Sequence, residues 1–585
     1  MNSGLYRSTH ATPDDTPPDQ TGVTIISVDA DLPAGGDQAL PPEEIPAEEP
    51  SKSTAGQSII MAIGSMVSRV IGFVRNAMIG MALGSAVGDA YTSAQFLPGQ
   101  IYELLLGGIL SSVLIPLLVR RRKADADGGQ AFIQTLLTFA MVALGVATAL
   151  VVAAAPLVTA IQTAGTAPEA YRDLVTQFAY LILPIIFFTG LSALIGAVLN
   201  VHGHFAAPMW APILNNIVLI AACGVFLVVF GTDTKLTAEN VTGGQIALIG
   251  GATFLGIVVQ TLGLLPALRK VGFRWGFRWA PRSLGLREIG SLAGWMLLYV
   301  AANQVSVFAV VRVLSEVAGK DSASVLAYNN VFLLTMMAHG IVGVSVMTAL
   351  LPQMSAAAAE GRYADVSADL TRGITLVSAA LAPVAVVYGV LGKPIAVTLF
   401  EGGNYSHEAA LATGTVLSLA AFAVLPLSIS YLCTYAFYAL QGNKTVALIN
   451  IPVVIARIVA YFVVAELVGD ALLAAGMTAA NALSYLVSAV ISLAVLRRRI
   501  GRLDLGAVAV SLIKVAVAAG IAAALGLLVV RFLPGSGAPD GRIEALIQLF
   551  AGGAVILIAY LVAALILRVR EISQVIGTVR RKLGR

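Results

Sequence analysis

The sequence predicts an all-α polytopic membrane protein: fourteen transmembrane helices in two six-helix lobes related by a pseudo-two-fold axis along the membrane normal, plus two C-terminal helices. Three observations predict it. Of 585 residues, 58% are apolar and 12% charged, with a mean hydropathy of +0.86, against roughly 45–50% and 25% in soluble domains. Apolar runs long enough to cross a 30 Å hydrocarbon core, about 20 residues each, recur around positions 70, 104, 146, 186, 219, 256, 301, 337, 381, 422, 456, 484, 519 and 556. Prolines repeat as well: Pro116 with Pro352, Pro184 with Pro426 and Pro212 with Pro452 are separated by 236, 242 and 240 residues. Read as span ends at Pro116 and Pro352, span openings at Pro184 and Pro426, and interior positions at Pro212 and Pro452, they make spans 1–6 and 7–12 two copies of one unit. Six is even, so the copies share an orientation and enclose a cavity between lobes, as in parallel-repeat transporters.

In chain order, residues 1–56 form an acidic tail. It holds ten acids against Arg7 and Lys52, a net of −8, so the remainder carries +12 for the chain to reach +4. With eight of the 24 prolines and no apolar periodicity it reads as disordered. It lacks the layout of a signal peptide, which leaves the first span as the expected insertion signal. The N-lobe follows over 57–270, then a basic and aromatic linker over 271–284. The C-lobe covers 285–500, two further helices 501–570, and a basic tail 571–585.

Charge in the connections supplies the orientation. Arg120 to Lys123, Arg269 to Arg287 and Arg497 to Arg502 fall on one side, together with the C-terminal tail, while the opposite connections are short and poor in Lys and Arg. The positive-inside rule puts that side, and both termini, in the cytoplasm.

Charge inside the spans is the functional clue, because Arg or an acid at a helix centre costs roughly 2.5–3.5 kcal/mol on insertion scales and so marks a pathway or a protein interior. Arg69, Arg75 and Glu103 lie in the first two spans. At 1.5 Å per residue, Arg75 and Glu103 come to similar depths, about 27 and 24 Å from the cytoplasmic side, and can meet. The pair either gates a cavity or merely neutralises itself between packed helices. Arg69 and Arg75, six residues apart, sit about 120° apart around the helix and cannot share one narrow stripe.

Arg312 lies near an outer end and Lys514 near the start of span 13, where snorkelling explains them. Arg457, deeper in span 11, either lines the cavity or packs within the second lobe. His339 reads as an interhelical hydrogen-bonder. The linker VGFRWGFRWAPR alternates Arg with Phe and Trp, an interfacial anchor that can also meet anionic membrane lipids. Cys223 and Cys433, far apart in apolar runs, offer neither a disulfide framework nor a metal cluster. No metal site, nucleic-acid partner or cofactor is expected, and without a GxxxxGK[ST] loop ATP is not the drive.

Ser68-Arg69-Val70-Ile71-Gly72-Phe73-Val74-Arg75-Asn76, then Gly88-Asp89-Ala90-Tyr91, Leu97-Pro98 and the paired LIP and LLP segments resemble the bacterial lipid II flippase family, MurJ or MviN, over about residues 57–570. The family belongs to the multidrug, oligosaccharidyl-lipid and polysaccharide exporter superfamily. The resemblance implies a cationic central cavity, a groove from the last two helices for a polyprenyl tail, and Arg69, Arg75, Asn76 and Tyr102 as substrate-binding positions. Asp89 matches the family's acid at the start of span 2, and with Glu103, which is read from its depth beside Arg75, it is a gating or ion-pair candidate. Asn76 stands where relatives have Asp, Tyr102 where they have Arg, and Leu333 near their arginine of span 8. Arg312 and Arg457 are the candidates to compensate, and the sodium-site acid of some relatives has no counterpart around Ala456 to Ala460.

The expectation is therefore a transporter and not an enzyme: a flippase of the bacterial inner membrane that carries lipid II outward by alternating access for cell-wall synthesis. Membrane potential or an ion gradient would drive it, and cell-wall synthesis or regulatory proteins would meet its cytoplasmic tails. Arginine suits a diphosphate headgroup because its planar fork donates bidentately. An inside-negative potential favours outward movement of an anion by about 2.3 kcal/mol per charge per 100 mV. A cation-coupled multidrug exporter, or an exporter of another lipid-linked oligosaccharide, is the alternative within the superfamily. A drug exporter would place an acid in the cavity, whereas the mid-membrane charges here are mainly arginine. A membrane enzyme would need catalytic groups on a large outer domain, and a scaffold would act through the tail.

Overall fold

Proline and glycine punctuate the helices of the computed structural model, which describes residues 52–103, 114–232, 235–318, 325–501, 503–536 and 538–572. Side chains at several of these positions, Tyr102 and Glu103 among them, fall outside the description, as does the tail over 1–51. Chain order runs α1 (Lys52–Glu103), α2 (Ile115–Ala124), α3 (Gln130–Ala153), α4 (Ala155–Gln162), α5 (Glu169–Ile182), α6 (Ile185–Val201), α7 (Ala206–Phe230), α8 (Gly243–Leu262) and α9 (Leu265–Lys270). Then come α10 (Leu286–Leu314), α11 (Val325–Ala359), α12 (Tyr363–Phe400), α13 (His407–Ala439), α14 (Asn443–Leu467), α15 (Leu473–Ile500), α16 (Leu505–Phe532) and α17 (Arg542–Ile566). Among the described residues the sole β feature is an isolated bridge between Gly402 and Tyr405.

Thirteen segments among the described residues are long and apolar enough to span a bilayer. The expected span around 104 coincides with residues 104–113, outside the description. The chain between the first two expected spans forms no open loop: α1 runs on to Glu103 with one break at Gly84 (φ 71°). The proline positions also differ from the expectation. Pro352 lies inside α11, which continues to Ala359, and Pro426 lies inside α13. Pro184 separates α5 from α6 within one continuous span, Glu169–Val201. Pro removes one backbone donor, and in a bundle neighbouring helices and Ser or Thr side chains re-satisfy the freed carbonyl, so it bends a membrane helix without ending it.

Local chemistry fixes several helix starts. Thr242 and Gln245 form a reciprocal capping box on α8, Ser406 accepts from Ala409 N on α13, and Asp504 accepts from Ala507 N on α16. Packing then separates the buried side chains. One core draws on α10 to α17, with Ala77 of α1, and two others draw almost wholly on α1 to α9. The last two helices join the first of these: Tyr560 donates to Ala379 O of α12 at 2.7 Å. Beyond its break, α1 is held against the other set by Tyr91···Thr253 and Ser93···Tyr171, both 3.0 Å.

Candidate functional site

Arg75 sits half-buried on α1, one residue before the buried Asn76. Its Nε and Nη2 donate to Asn76 Oδ1 at 3.3 and 3.0 Å, and its Nη1 donates to Asn216 Oδ1 on α7 at 3.2 Å. Asn216 is buried and its Nδ2 reaches back to Ser68 O at 3.5 Å. Both acceptors are neutral amides, and the ion pairs among the described residues do not include Arg75. The two asparagines therefore orient the guanidinium through neutral contacts, where an Asp at position 76 would bring a negative charge. Asn216 was not singled out from the sequence; its signal was the polar pair Asn215-Asn216 inside an otherwise apolar helix.

Arg69 points elsewhere. Its guanidinium lies against Gly340 of α11, where an added Cβ would collide with it. The neighbouring His339 bonds through Nδ1 to Ser428 Oγ at 2.9 Å and packs its ring on Tyr431 at 4.8 Å. The two arginines of α1 thus address different helices, α7 and α11, in keeping with the angle between them around the helix. Arg69 meets α11 seven residues after Leu333, about two turns on, so a cation is present on that helix though contributed by α1. His339 has the interhelical hydrogen bond expected of it.

Asp89 joins α1 to α11. It is buried, and its Oδ1 accepts from Leu326 N at the start of α11 at 2.8 Å, where the free amides and helix dipole favour negative charge. Nearby, Asn404 N donates to Met81 O and Asn404 Nδ2 to Ala82 O, both 2.7 Å. Gly84 is required here twice over: its φ is left-handed, and a Cβ would lie 2.8 Å from Asn404 O. At the same end Ala164 N donates to Ser315 Oγ at 2.7 Å, and Arg312 Nη1 donates to Thr163 O at 2.9 Å and more weakly to Ala160 O and Ile161 O. Arg312 thus satisfies carbonyls at the end of α4.

Arg457 is bonded through Nε to Ser484 Oγ at 2.8 Å. The side chains of Tyr102 and Glu103 are outside the described residues, so the expected Arg75–Glu103 pairing falls there too. Among the described residues no group of three or more His, Cys, Asp or Glu is placed to hold a metal.

A family profile described as lipid II flippase MurJ matches residues 78–540. The chain is 27% identical over 418 residues to a lipid II flippase MurJ of Burkholderia cenocepacia, covering 70% of this chain and 77% of that protein. Among solved structures, a lipid II flippase MurJ in an inward closed conformation superposes with a TM-score of 0.68 at 16% identity, over 86% of this chain and 99% of that one. An inward-facing multidrug resistance MATE family transporter of the MOP superfamily superposes with a TM-score of 0.61 at 15% identity, over 76% and 99%.

Proposed function

Because the chain belongs to the lipid II flippase MurJ family, we propose that it carries lipid II, the lipid-linked cell-wall precursor, from the inner to the outer leaflet of the bacterial plasma membrane. It is a multi-pass transporter, and its movement is alternating access of two lobes, 57–270 and 285–500, with 501–570 flanking the second. Both termini lie in the cytoplasm, on the side of Arg120 to Lys123 and Arg497 to Arg499.

The observation that carries the site is Arg75, a guanidinium anchored by two neutral amides, with no carboxylate paired to it among the described residues. A diphosphate needs such a group in a cavity screened from water, where charge-assisted hydrogen bonds are about twice as strong as neutral ones. Arg69, against α11, supplies a second cation from the same helix, and Asn76 holds the first in place. Asp89 is the gate: it ties α1 to α11 at the outer end, so outward opening must break its bond to Leu326 N. The membrane potential supplies the drive, since the load is anionic.

The MATE likeness raises cation-coupled drug export as the second reading. Against it stands the use of Asp89, whose carboxylate is spent on a helix terminus. The test is translocation of lipid II by the purified protein in proteoliposomes, comparing wild type with Arg75→Ala; wild-type flipping that Arg75→Ala leaves unchanged would overturn the site assignment.

A further inference from the structure

The linker between α9 and α10 is held down as a strap along α3. Three polar side chains of α3, spaced four residues apart and therefore on one face of the helix, take its main chain in turn. Gln130 Nε2 donates to Gly272 O at 3.0 Å, Gln134 Nε2 donates to Arg274 O at 2.8 Å, and Thr138 Oγ1 accepts from Arg278 N at 3.2 Å. Gly276 permits the close approach, since a Cβ there would lie 3.1 Å from Gln134 Nε2. Phe273 and Leu284 bury their side chains in the core that holds Phe132 and Leu136 of α3. Between these two anchors the strap turns its large side chains outward: Trp275, Phe277 and Trp279 are 52, 77 and 52% exposed.

Charge accompanies the aromatics. Arg269, Lys270, Arg274, Arg278 and Arg282 are exposed, and no acid lies between 269 and 287 in the sequence. The ion pairs among the described residues include none of these five cations. Asp127 lies within electrostatic range of Arg278, but its two carboxylate oxygens are taken by Gly129 N and Ala131 N. Depth follows from α3. With its continuation α4 it runs from Gln130 to Gln162, about 50 Å at 1.5 Å per residue, against a hydrocarbon core of about 30 Å. Shared between the two ends, the excess sets Gln130 and Gln134 at headgroup level and Thr138 and Phe139 at the edge of the acyl region. The Trp279 ring lies 6.2 Å from that of Phe139, so the strap descends through the layer where lipid phosphates lie.

We propose that this strap is a docking site for anionic phospholipid of the cytoplasmic leaflet, distinct from the Arg75 site: Arg274 and Arg278 take the phosphate, and Trp275, Phe277 and Trp279 rest against the glycerol and upper acyl chain. Aromatic rings at this depth anchor a segment in any bilayer. The unpaired cations select within it, because the phosphate of a zwitterionic lipid is already balanced by its own amine, whereas phosphatidylglycerol brings a net negative charge to guanidinia with no carboxylate beside them.

The test uses the full chain in phosphatidylcholine nanodiscs. Of its four tryptophans, Trp210 and Trp295 are replaced by Phe, so that emission reports the strap. Acyl-brominated phosphatidylglycerol and acyl-brominated phosphatidylcholine are compared as quenchers at the same low fraction of the lipid. Phosphatidylglycerol should quench on the order of twofold more, through its enrichment at the cations. Arg274→Gln with Arg278→Gln should bring the ratio to about one while leaving quenching by phosphatidylcholine as it was, because the rings stay in place. Sodium chloride at about 1 M, where the Debye length is about 3 Å, should lower the ratio likewise. Arg75→Ala should keep it, which separates this site from the lipid II site whatever that variant does to flipping. Equal quenching by the two lipids before any Arg substitution, meaning an anchor indifferent to headgroup, would overturn the proposal. So would a ratio unchanged in the double Arg variant, or one that Arg75→Ala lowers as far. If a substituted chain does not fold, the salt series on the unmodified chain decides, and a ratio insensitive to salt there would overturn the proposal equally.

Discussion

Replacing Arg75 by alanine removes the contacts to Asn76 and Asn216 together with the charge. Hydrogen bonds to charged groups are worth about 1.5–3 kcal/mol, so flipping should fall on the order of 10- to 100-fold with the protein still in the membrane. Arg75→Lys should keep part of the activity, since a point charge replaces a planar fork. Both are read by complementation of a flippase-depleted strain with expression measured in parallel. Gly84→Ala should lower stability by about 1–3 kcal/mol through its positive φ alone, with further loss from the contact to Asn404 O, and thermal unfolding in detergent checks it. At this scale the sequence is uneven evidence. Arg69 and Arg75 stand out because charge in an apolar run demands a reason. Asn216 does not, because a neutral amide in a helix is ordinary until a partner is seen.

At the scale of elements, α11 starts on Asp89. Asp89→Ala leaves Leu326 N without its acceptor and should speed hydrogen exchange at the first turn of α11, whereas Asp89→Asn keeps an acceptor and should change exchange less. A second start, that of α3, is sensitive to pH. Gly129 N donates to Asp127 Oδ1 at 2.9 Å and Ala131 N to Oδ2 at 2.8 Å. These amides, Ala131 first, hold the Asp127 carboxyl below the ordinary carboxylate range. A lowered folded pKa contributes stability above the unfolded value, and that contribution is lost as pH falls through the folded one. Exchange at the first turn of α3 should therefore rise in acid, and Asp127→Ala should show the raised level already at neutral pH. The existence and order of helices were legible from apolar run length. Their joints were not: the connection expected between the first two spans is a single break at Gly84, and Pro352 and Pro426 read as helix boundaries and are interior. A bundle supplies partners that a sequence window cannot contain.

For the whole molecule, the prediction concerns sidedness and movement. In a background with Cys223 and Cys433 replaced, single cysteines placed within 231–243 should label from outside intact cells, and those within 120–127 should not; the reverse pattern would invert the topology. A cysteine pair at Met81 and Asn404 should cross-link on oxidation and halt flipping, and reduction should restore it, because the backbone contact between them must part for the outer end to open. What was legible at this scale is the class, a many-span helical membrane protein, because the length and number of apolar runs are properties of the entire chain and survive errors at single boundaries; the parallel repeat and the asymmetry of basic connections are the grounds for the sidedness proposed.

The contact around Gly84 also bears on how such a protein is reached. It is made largely from main-chain atoms of Met81 and Ala82 meeting Asn404, in a short turn between Gly402 and Tyr405 that faces outward in the proposed orientation. A small cyclic peptide that copied this turn would compete for the same carbonyls from the external medium, with no need to enter the cell and no dependence on the side chains that most readily mutate to resistance.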